Sequence, residues 1–180
     1  MTLKSARLET PVGPIRLFVN ERAVCGLEFE DRRPGLLRWL EGRFGRCAVE
    51  AQPDPAGAVS GLAAYLAGDL AALDDLVVDT GGTPFQRRVW EQLRRIPAGR
   101  TASYAEVAAA IGSPSAVRAV GAANGRNPVS IIVPCHRVIA ADGSLCGYGG
   151  GLHRKRWLLG HEGVPVPPNR VPAQAFLALT

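Results

Sequence analysis

A cysteine and a histidine stand side by side at Cys135 and His136, directly after a short apolar run in the segment IIVPCHRV. A thiolate is a strong nucleophile, but a free thiol has a pKa of about 8.5 and needs a base at neutral pH. Adjacent side chains of an extended chain point to opposite sides, so a Cys–His contact requires a sharp turn or a bridging water. Pro134 cannot donate to a sheet, so we predict a strand, VSIIV, that ends there and presents Cys135 at its end.

A third group should orient the imidazole, and Glu162 is the acidic residue best placed to do so. Only four acidic residues lie beyond position 80, and Glu162 ends a predicted helix, LHRKRWLLGHEG, that can pack back on Cys135. The sequence thus predicts a thiol, a water, an imidazole and a carboxylate that act in series.

The other cysteines do not suggest a metal site or a disulfide framework. No two cysteines form a CxxC pair, and none lies at zinc-ligand spacing from the three histidines. Disulfides are not expected in a chain without an export signal. The cysteines that we expect to be small buried side chains are Cys25, Cys47 and Cys146.

Residues 1–80 are predicted to form an N-terminal α/β domain. Three short runs rich in β-branched residues, in SARLETPVGPIRLFVNERAVCGLEFE, predict a small antiparallel sheet. Apolar residues at helical spacing predict helices in PGLLRWLEGRFG and AVSGLAAYLAGDL, and LVVDT is predicted to be a short strand. The glycines of GGT at 81–83 are predicted to mark the junction with the next domain.

Residues 81–163 are predicted to form a mostly helical domain, which makes the whole chain α+β. Capping boxes begin at Thr83 and Ser103, each just before an apolar helical pattern. The turn signal at 142–143 predicts a hairpin, which beside a helix-turn-helix would be a wing. Residues 164–180 are Pro-rich and are predicted to be a surface tail.

The helices after Ser103 have the spacing of a helix-turn-helix, although an ordinary αα-hairpin fits the same spacing. Gly112 ends the first helix, Ser113 begins the turn, and Ser115 is placed to cap the second helix. This second helix carries mostly small residues, and only Arg118 projects as a long basic side chain. A slim surface with one arginine is typical of proteins that bind the minor groove, but small residues also permit close packing in a core.

The basic charge is concentrated in the second half of the chain. Residues 1–80 hold nine Arg/Lys and twelve Asp/Glu, a net charge of −3, whereas residues 81–180 hold twelve and four, a net charge of +8. This asymmetry favours a polyanion as partner over an inert basic surface. We find neither an apolar run long enough to span a membrane nor a secretory signal, so we expect a cytoplasmic protein.

Taken together, these segments resemble the O6-alkylguanine-DNA alkyltransferase family, the methylated-DNA–protein-cysteine methyltransferases. The resemblance rests on TPFQRRVWEQLRRIPAGRTASYAEVA, RAVGAANGRNPVSIIVPCHRVI and GYGGGLHRKRWLLGHEG, which follow the family's order and cover most of residues 83–163. It implies a DNA repair protein that moves the alkyl group from O6 of guanine irreversibly onto Cys135, in a single turnover without a cofactor. His136 would take the thiol proton through a water, and Glu162 would orient His136. O4-alkylthymine is a further candidate substrate.

The resemblance also implies roles in binding. The flipped guanine would be contacted by Tyr104, Val138, Tyr148 and Gly149, with the last two at O6. The DNA would be contacted by Ser113, Ser115 and Arg118, the last filling the gap left in the base stack. The loops around the site would be held by Asn127 and Arg137. The implied partner is double-stranded DNA, bound mainly through the minor groove by a monomer.

The chain departs from the family pattern at two places. Gly149 stands where eukaryotic members often carry a serine, so only its backbone amide remains. Some members bind zinc in the N-terminal domain, but residues 1–80 contain no histidine and only two cysteines.

The alternatives to a repair protein are a sensor that binds O6-alkylguanine without repairing it, a cysteine hydrolase and a winged-helix regulator. Cys135 argues against the sensor, and the thin basic helix argues against the hydrolase.

Overall fold

The computed structural model describes residues 1–166, so most of the predicted tail lies outside the described residues. The first three strands, β1 (Thr2–Leu8), β2 (Ile15–Val19) and β3 (Val24–Phe29), form the predicted antiparallel meander. A fourth strand, β4 (Ala48–Ala51), was not predicted. It adds to β1 in parallel, so the sheet is mixed and has the order β3-β2-β1-β4.

Both predicted helices of the first half are present, as α1 (Arg33–Phe44) and α2 (Ala58–Leu66). Helix α1 packs its apolar side chains on one face of the sheet. The predicted strand in LVVDT is wrong, because only Val78 pairs there, in an isolated bridge to Val24.

Between residues 81 and 166 the structure contains four α-helices: α3 (Pro84–Arg94), α4 (Tyr104–Ala110), α5 (Val117–Gly125) and α6 (Leu152–His161). The capping boxes at the starts of α3 and α4 are both formed, which confirms these predictions.

The turn between α4 and α5 forms with one difference from the prediction. Gly112 follows α4 with φ of +71°, a left-handed conformation that glycine adopts without strain. The predicted cap by Ser115 is wrong: the N-cap of α5 is Ala116, without a side-chain cap, and its backbone N–H donates to the carbonyl of Ser113 at 2.9 Å.

The segment before Cys135 is buried, but the predicted strand VSIIV is wrong. Val129 forms an isolated bridge with Leu27 of β3, and Ile131 has φ of +72°, which breaks any extended ladder. A short, mostly apolar run cannot distinguish a strand from another buried segment, since it lacks a clear two-residue alternation of apolar and polar residues.

The predicted wing is formed only in part. The turn is present, since the N–H of Gly143 donates to the carbonyl of Ala140 at 3.0 Å. No strand follows this turn as far as residue 166, where the described part of the chain ends. Instead β6 (Val138–Ile139) pairs in parallel with β5 (Ala102–Ser103), which ties the segment after Cys135 to the start of α4.

One hydrophobic core extends across the predicted boundary at residue 80. It includes Leu27 of the sheet, Leu62 of α2, Trp90 of α3 and Leu158 of α6, all nearly inaccessible to solvent. The indole N–H of Trp90 donates to the carbonyl of Ala123 at 2.9 Å and so fixes α3 against α5. The described part of the chain has no helix long and apolar enough to cross a membrane.

Candidate active site

Cys135 begins a single turn of 3-10 helix, Cys135–Arg137, which supplies the sharp turn that the adjacent pair requires. Pro134 precedes this turn, and the N–H of Cys135 donates to the carbonyl of Val133 at 2.8 Å. The Cys135 side chain is 4% exposed. Burial raises its pKa to about 11, although nearby Asn127 and Lys155 act in the opposite direction. The thiol is therefore protonated at neutral pH and needs a base.

His136 is fully buried and lies against Glu162, with 2.9 Å between Nε2 and Oε1. An ionised carboxylate can only accept, so Nε2 carries the proton and Nδ1 is free to accept one. Nδ1 is buried and has no hydrogen-bond partner among residues 1–166. Burial lowers the pKa of His136, and this outweighs the opposite effect of Glu162. His136 is thus a neutral base at physiological pH.

Three side chains hold the carboxylate of Glu162, namely those of His136, Arg137 and Tyr65. Arg137 donates to both of its oxygens, from Nε to Oε2 at 3.0 Å and from Nη2 to Oε1 at 2.9 Å. The hydroxyl of Tyr65 donates to Oε1 at 2.7 Å. Burial alone would raise the pKa of Glu162, but hydrogen bonds from His136 and Arg137 lower it to about 2. Glu162 therefore remains ionised at neutral pH.

Two asparagines hold the loop that carries Cys135. Asn127 donates from Nδ2 to the carbonyl of Val133 at 2.8 Å and accepts from the N–H of Val129 at 3.0 Å. Asn124 donates to the carbonyl of Cys135 at 3.4 Å. Asn127 thus lies where the sequence places a scaffold residue, whereas Asn124 was not singled out.

Lys155 is a second residue that sequence reasoning missed. It is fully buried, and its Nζ donates to the carbonyls of Val138 at 2.5 Å and of Cys146 at 2.9 Å. It therefore joins the two loops that flank the site. The resemblance implies that Val138 contacts the flipped guanine. Its carbonyl already has one donor, but a carbonyl oxygen has two lone pairs and can accept another.

Tyr148 and Gly149 lie on the loop before α6. The hydroxyl of Tyr148 is buried without a partner among the described residues, and its ring meets Phe29 edge to face, with 6.4 Å between centroids. Burial raises the pKa of Tyr148 well above its usual value, so the hydroxyl is a neutral donor. Gly150, the residue after Gly149, also lies against Phe29. A Cβ at Gly150 would lie 2.4 Å from the Phe29 ring, so only glycine fits at this position.

Tyr104, at the start of α4, is half-buried beside Cys146, with 3.9 Å between its hydroxyl and Sγ. A Cβ at Gly121 of α5 would lie 3.8 Å from the Tyr104 ring, so the thin helix packs closely on this residue. Tyr104 therefore lies between the loop of Cys146 and α5.

The helix-turn-helix residues lie at the surface. Arg118 and Ser115 are exposed, and Ser113 is half-buried. The other exposed positions of α5 are small residues, Ala119, Ala122 and Gly125, and the exposed Arg126 follows the helix. The structure thus separates the predicted residues into a buried cluster around Cys135 and a slim, basic outer face.

This combination defines an α/β protein in which a helix-turn-helix lies beside a buried cysteine, and in which a buried neutral histidine contacts an ionised carboxylate. The family model for "6-O-methylguanine DNA methyltransferase, DNA binding domain" matches residues 84–164. The methylated-DNA–protein-cysteine methyltransferase of Salmonella typhimurium is 48% identical over 167 residues, covering 91% of this chain and 97% of that protein. The chain belongs to the methylated-DNA–protein-cysteine methyltransferase family.

Solved structures agree with this assignment. The crystal structure of Mycobacterium tuberculosis OGT in complex with DNA has a TM-score of 0.76 and 43% identity, covering 89% of this chain and 93% of that chain. The O6-methylguanine-DNA methyltransferase of Pyrococcus kodakaraensis has a TM-score of 0.70 and 29% identity, covering 90% of this chain and 99% of that chain. The shared fold therefore extends over both halves of this chain.

Proposed function

We propose that Cys135 is the residue through which this DNA repair methyltransferase accepts the alkyl group of O6-alkylguanine in DNA, once per molecule. The observation that carries this proposal is a buried thiol at Cys135 whose neighbour in the chain, the buried neutral His136, contacts the ionised carboxylate of Glu162. The thioether formed on Cys135 is stable in water, so the reaction consumes the protein. O4-alkylthymine, which presents a similar alkyl ether, is a further candidate substrate.

The thiol loses its proton as it attacks. A bridging water passes this proton to Nδ1 of His136, and the charge of Glu162 stabilises the imidazolium that forms. Sγ of Cys135 then bonds to the alkyl carbon, while the bond from this carbon to O6 breaks and leaves its electron pair on the guanine. The guanine takes up one proton and departs as the normal base, which balances the proton lost by the thiol.

Negative charge grows on the guanine as the bond to O6 breaks, and donors placed at O6 stabilise that charge. The neutral hydroxyl of Tyr148, which is buried without a partner in the described part of the chain, suits this role. The amide of Gly149 is the second proposed donor. Tyr104, between the site and α5, is proposed to contact the flipped base.

The DNA is proposed to bind through its minor groove to the exposed face of α5. O6 cannot be reached inside a duplex, so the base must leave the stack. The small residues of α5 allow a close approach, and Arg118 is the exposed side chain proposed to enter the gap. Ser113 and Ser115 are proposed to contact the DNA backbone.

We further propose that residues 1–80 and 81–163 are two domains of a cytoplasmic monomer.

Intact mass measurement tests the proposed function directly. The protein is mixed with duplex DNA that carries one O6-methylguanine, and its mass is measured before and after peptide mapping. We expect one added methyl group on the Cys135 peptide, with a yield that never exceeds one per protein. Binding to the lesion without added mass would contradict repair and would favour the non-repairing sensor.

Arg118→Ala should slow transfer from duplex DNA by about tenfold or more, because extruding a base costs a few kcal/mol and the arginine offsets part of it. The reaction with free O6-benzylguanine should be unchanged, since no base is extruded. Single-turnover rates with both substrates measure this difference. Arg88→Ala is the matched control, since Arg88 is exposed on α3 and carries the same charge. Equal losses on both substrates in Arg118→Ala would refute the proposed role.

A further inference from the structure

Tyr65 connects the first half of the chain to the proposed proton relay. It lies in α2 and is fully buried, and its hydroxyl donates to Oε1 of Glu162 at 2.7 Å. The same oxygen accepts from Nε2 of His136 at 2.9 Å. A tyrosine that is 97 positions away in the sequence thus shares one carboxylate oxygen with the histidine of the relay.

Tyr65 is itself held in place from α6. Its backbone carbonyl accepts from Nε2 of His161 at 2.7 Å, and the two rings meet edge to face with 5.1 Å between centroids. The His161 ring in turn stacks on Trp157, with 5.0 Å between centroids. The Tyr65 hydroxyl therefore cannot turn away from Glu162 without disturbing the packing of α2 against α6.

The charge on Oε1 determines how strongly Glu162 attracts a proton onto His136. The charged or titratable groups that face the carboxylate are His136, Arg137 and Tyr65, and the charge of Lys155 also acts on His136. A hydroxyl that donates to Oε1 withdraws part of its negative charge. Without this hydroxyl, Oε1 would stabilise the imidazolium more strongly, and the pKa of His136 would rise.

The hydroxyl also restricts the position of the carboxylate. Arg137 donates to both oxygens of the carboxylate. The Tyr65 hydroxyl is a further donor to Oε1, beside Arg137 and His136, and its contact is the shortest of the three. A positioned proton acceptor contributes more to a rate than one that must be reoriented in each reaction.

We propose that Tyr65 is a positioning residue for alkyl transfer, whose hydroxyl fixes Glu162 against His136 and sets how readily the imidazole accepts the thiol proton. This inference rests on the proposed function. It makes residues 1–80 a contributor to the chemistry, through a side chain that contacts neither the thiol nor the substrate.

Tyr65→Phe removes only the hydroxyl and keeps the ring in the core. We expect the single-turnover rate with free O6-benzylguanine to fall by about tenfold, a part of the about 10²–10⁴-fold that positioned proton transfer contributes. The loss should be the same with duplex DNA, since DNA binding is not involved. Because only neutral His136 accepts a proton, a raised pKa of His136 should move the acidic limb of the pH–rate profile to higher pH.

Phe18→Leu is the control. It perturbs the smaller apolar cluster between the sheet and α1 and touches neither Tyr65 nor Glu162, so the acidic limb should stay in place. A Tyr65→Phe profile that overlays the wild-type profile would overturn the inference and leave Tyr65 as a packing residue only. If Tyr65→Phe does not fold, 3-fluorotyrosine at position 65 keeps the ring and the hydroxyl but makes the hydroxyl a stronger donor, and it should move the acidic limb in the opposite direction. Failure of the wild-type protein to accept the benzyl group would instead overturn the proposed function.

Discussion

Replacement of Cys135 by serine is expected to reduce alkyl transfer by at least about 10³-fold, because a hydroxyl is a far weaker nucleophile than a thiol served by a base. The change removes one sulfur atom from a buried site and leaves α5 and Arg118 untouched, so binding to duplex DNA should remain. Intact mass after reaction with O6-methylguanine DNA measures the first expectation, and a gel-shift titration measures the second.

Cys47→Ser provides the matched control for this change. Cys47 is a half-buried cysteine that follows α1, packed beside the smaller apolar cluster on the far side of the sheet. This variant should accept one methyl group at the wild-type rate. If Cys135→Ser still gained the methyl group, another residue would be the acceptor.

Glu162→Gln should be the most damaging change outside the nucleophile. The amide cannot carry the charge that stabilises protonated His136, so we expect the transfer rate to fall by about 10²-fold or more. The change also leaves the buried Arg137 without its ionic partner, and breaking such a pair costs about 3–5 kcal/mol of folding stability. Single-turnover kinetics measures the rate, and denaturant unfolding measures the free energy of unfolding.

Glu91→Gln makes the same chemical change at an exposed position on α3 and should alter neither quantity. The assay temperature should lie below the unfolding transition of every variant, so that a loss of rate is not a loss of folded protein. Wild-type transfer by folded Glu162→Gln would show that His136 needs no carboxylate partner.

Local signals in the sequence predicted much of this fold. The capping boxes at Thr83 and Ser103 and the glycine at 112 each act over a few residues, and the structure contains all three. Strand β4 was not predicted because its four residues are all exposed and lack an apolar face. The strand predicted in VSIIV failed for the opposite reason, since a wholly buried run carries no alternation.

The candidate site also contains residues that a local motif marks and residues that only a long-range contact brings there. Cys135, His136 and Glu162 could be singled out as candidates because reactive residue types and a recognisable motif mark them. Tyr65 could not be assigned, because its role comes from a contact across 97 positions and its helix has the pattern of any core helix. Lys155 was missed for a related reason, since a lysine in a basic helix is ordinarily exposed.

The larger hydrophobic core, which extends across both halves of the chain, determines how the molecule denatures. Side chains from the sheet, α2, α3 and α6 pack together, so neither half can lose its structure without exposing apolar surface of the other. Unfolding should therefore be cooperative over both halves, and the amides of β2 and of α6 should exchange with solvent only through the same global opening. A destabilising change in the sheet, far from Cys135, would then reduce the fraction of folded protein with a competent thiol. An equally destabilising change next to Cys135 would reduce that fraction by the same amount.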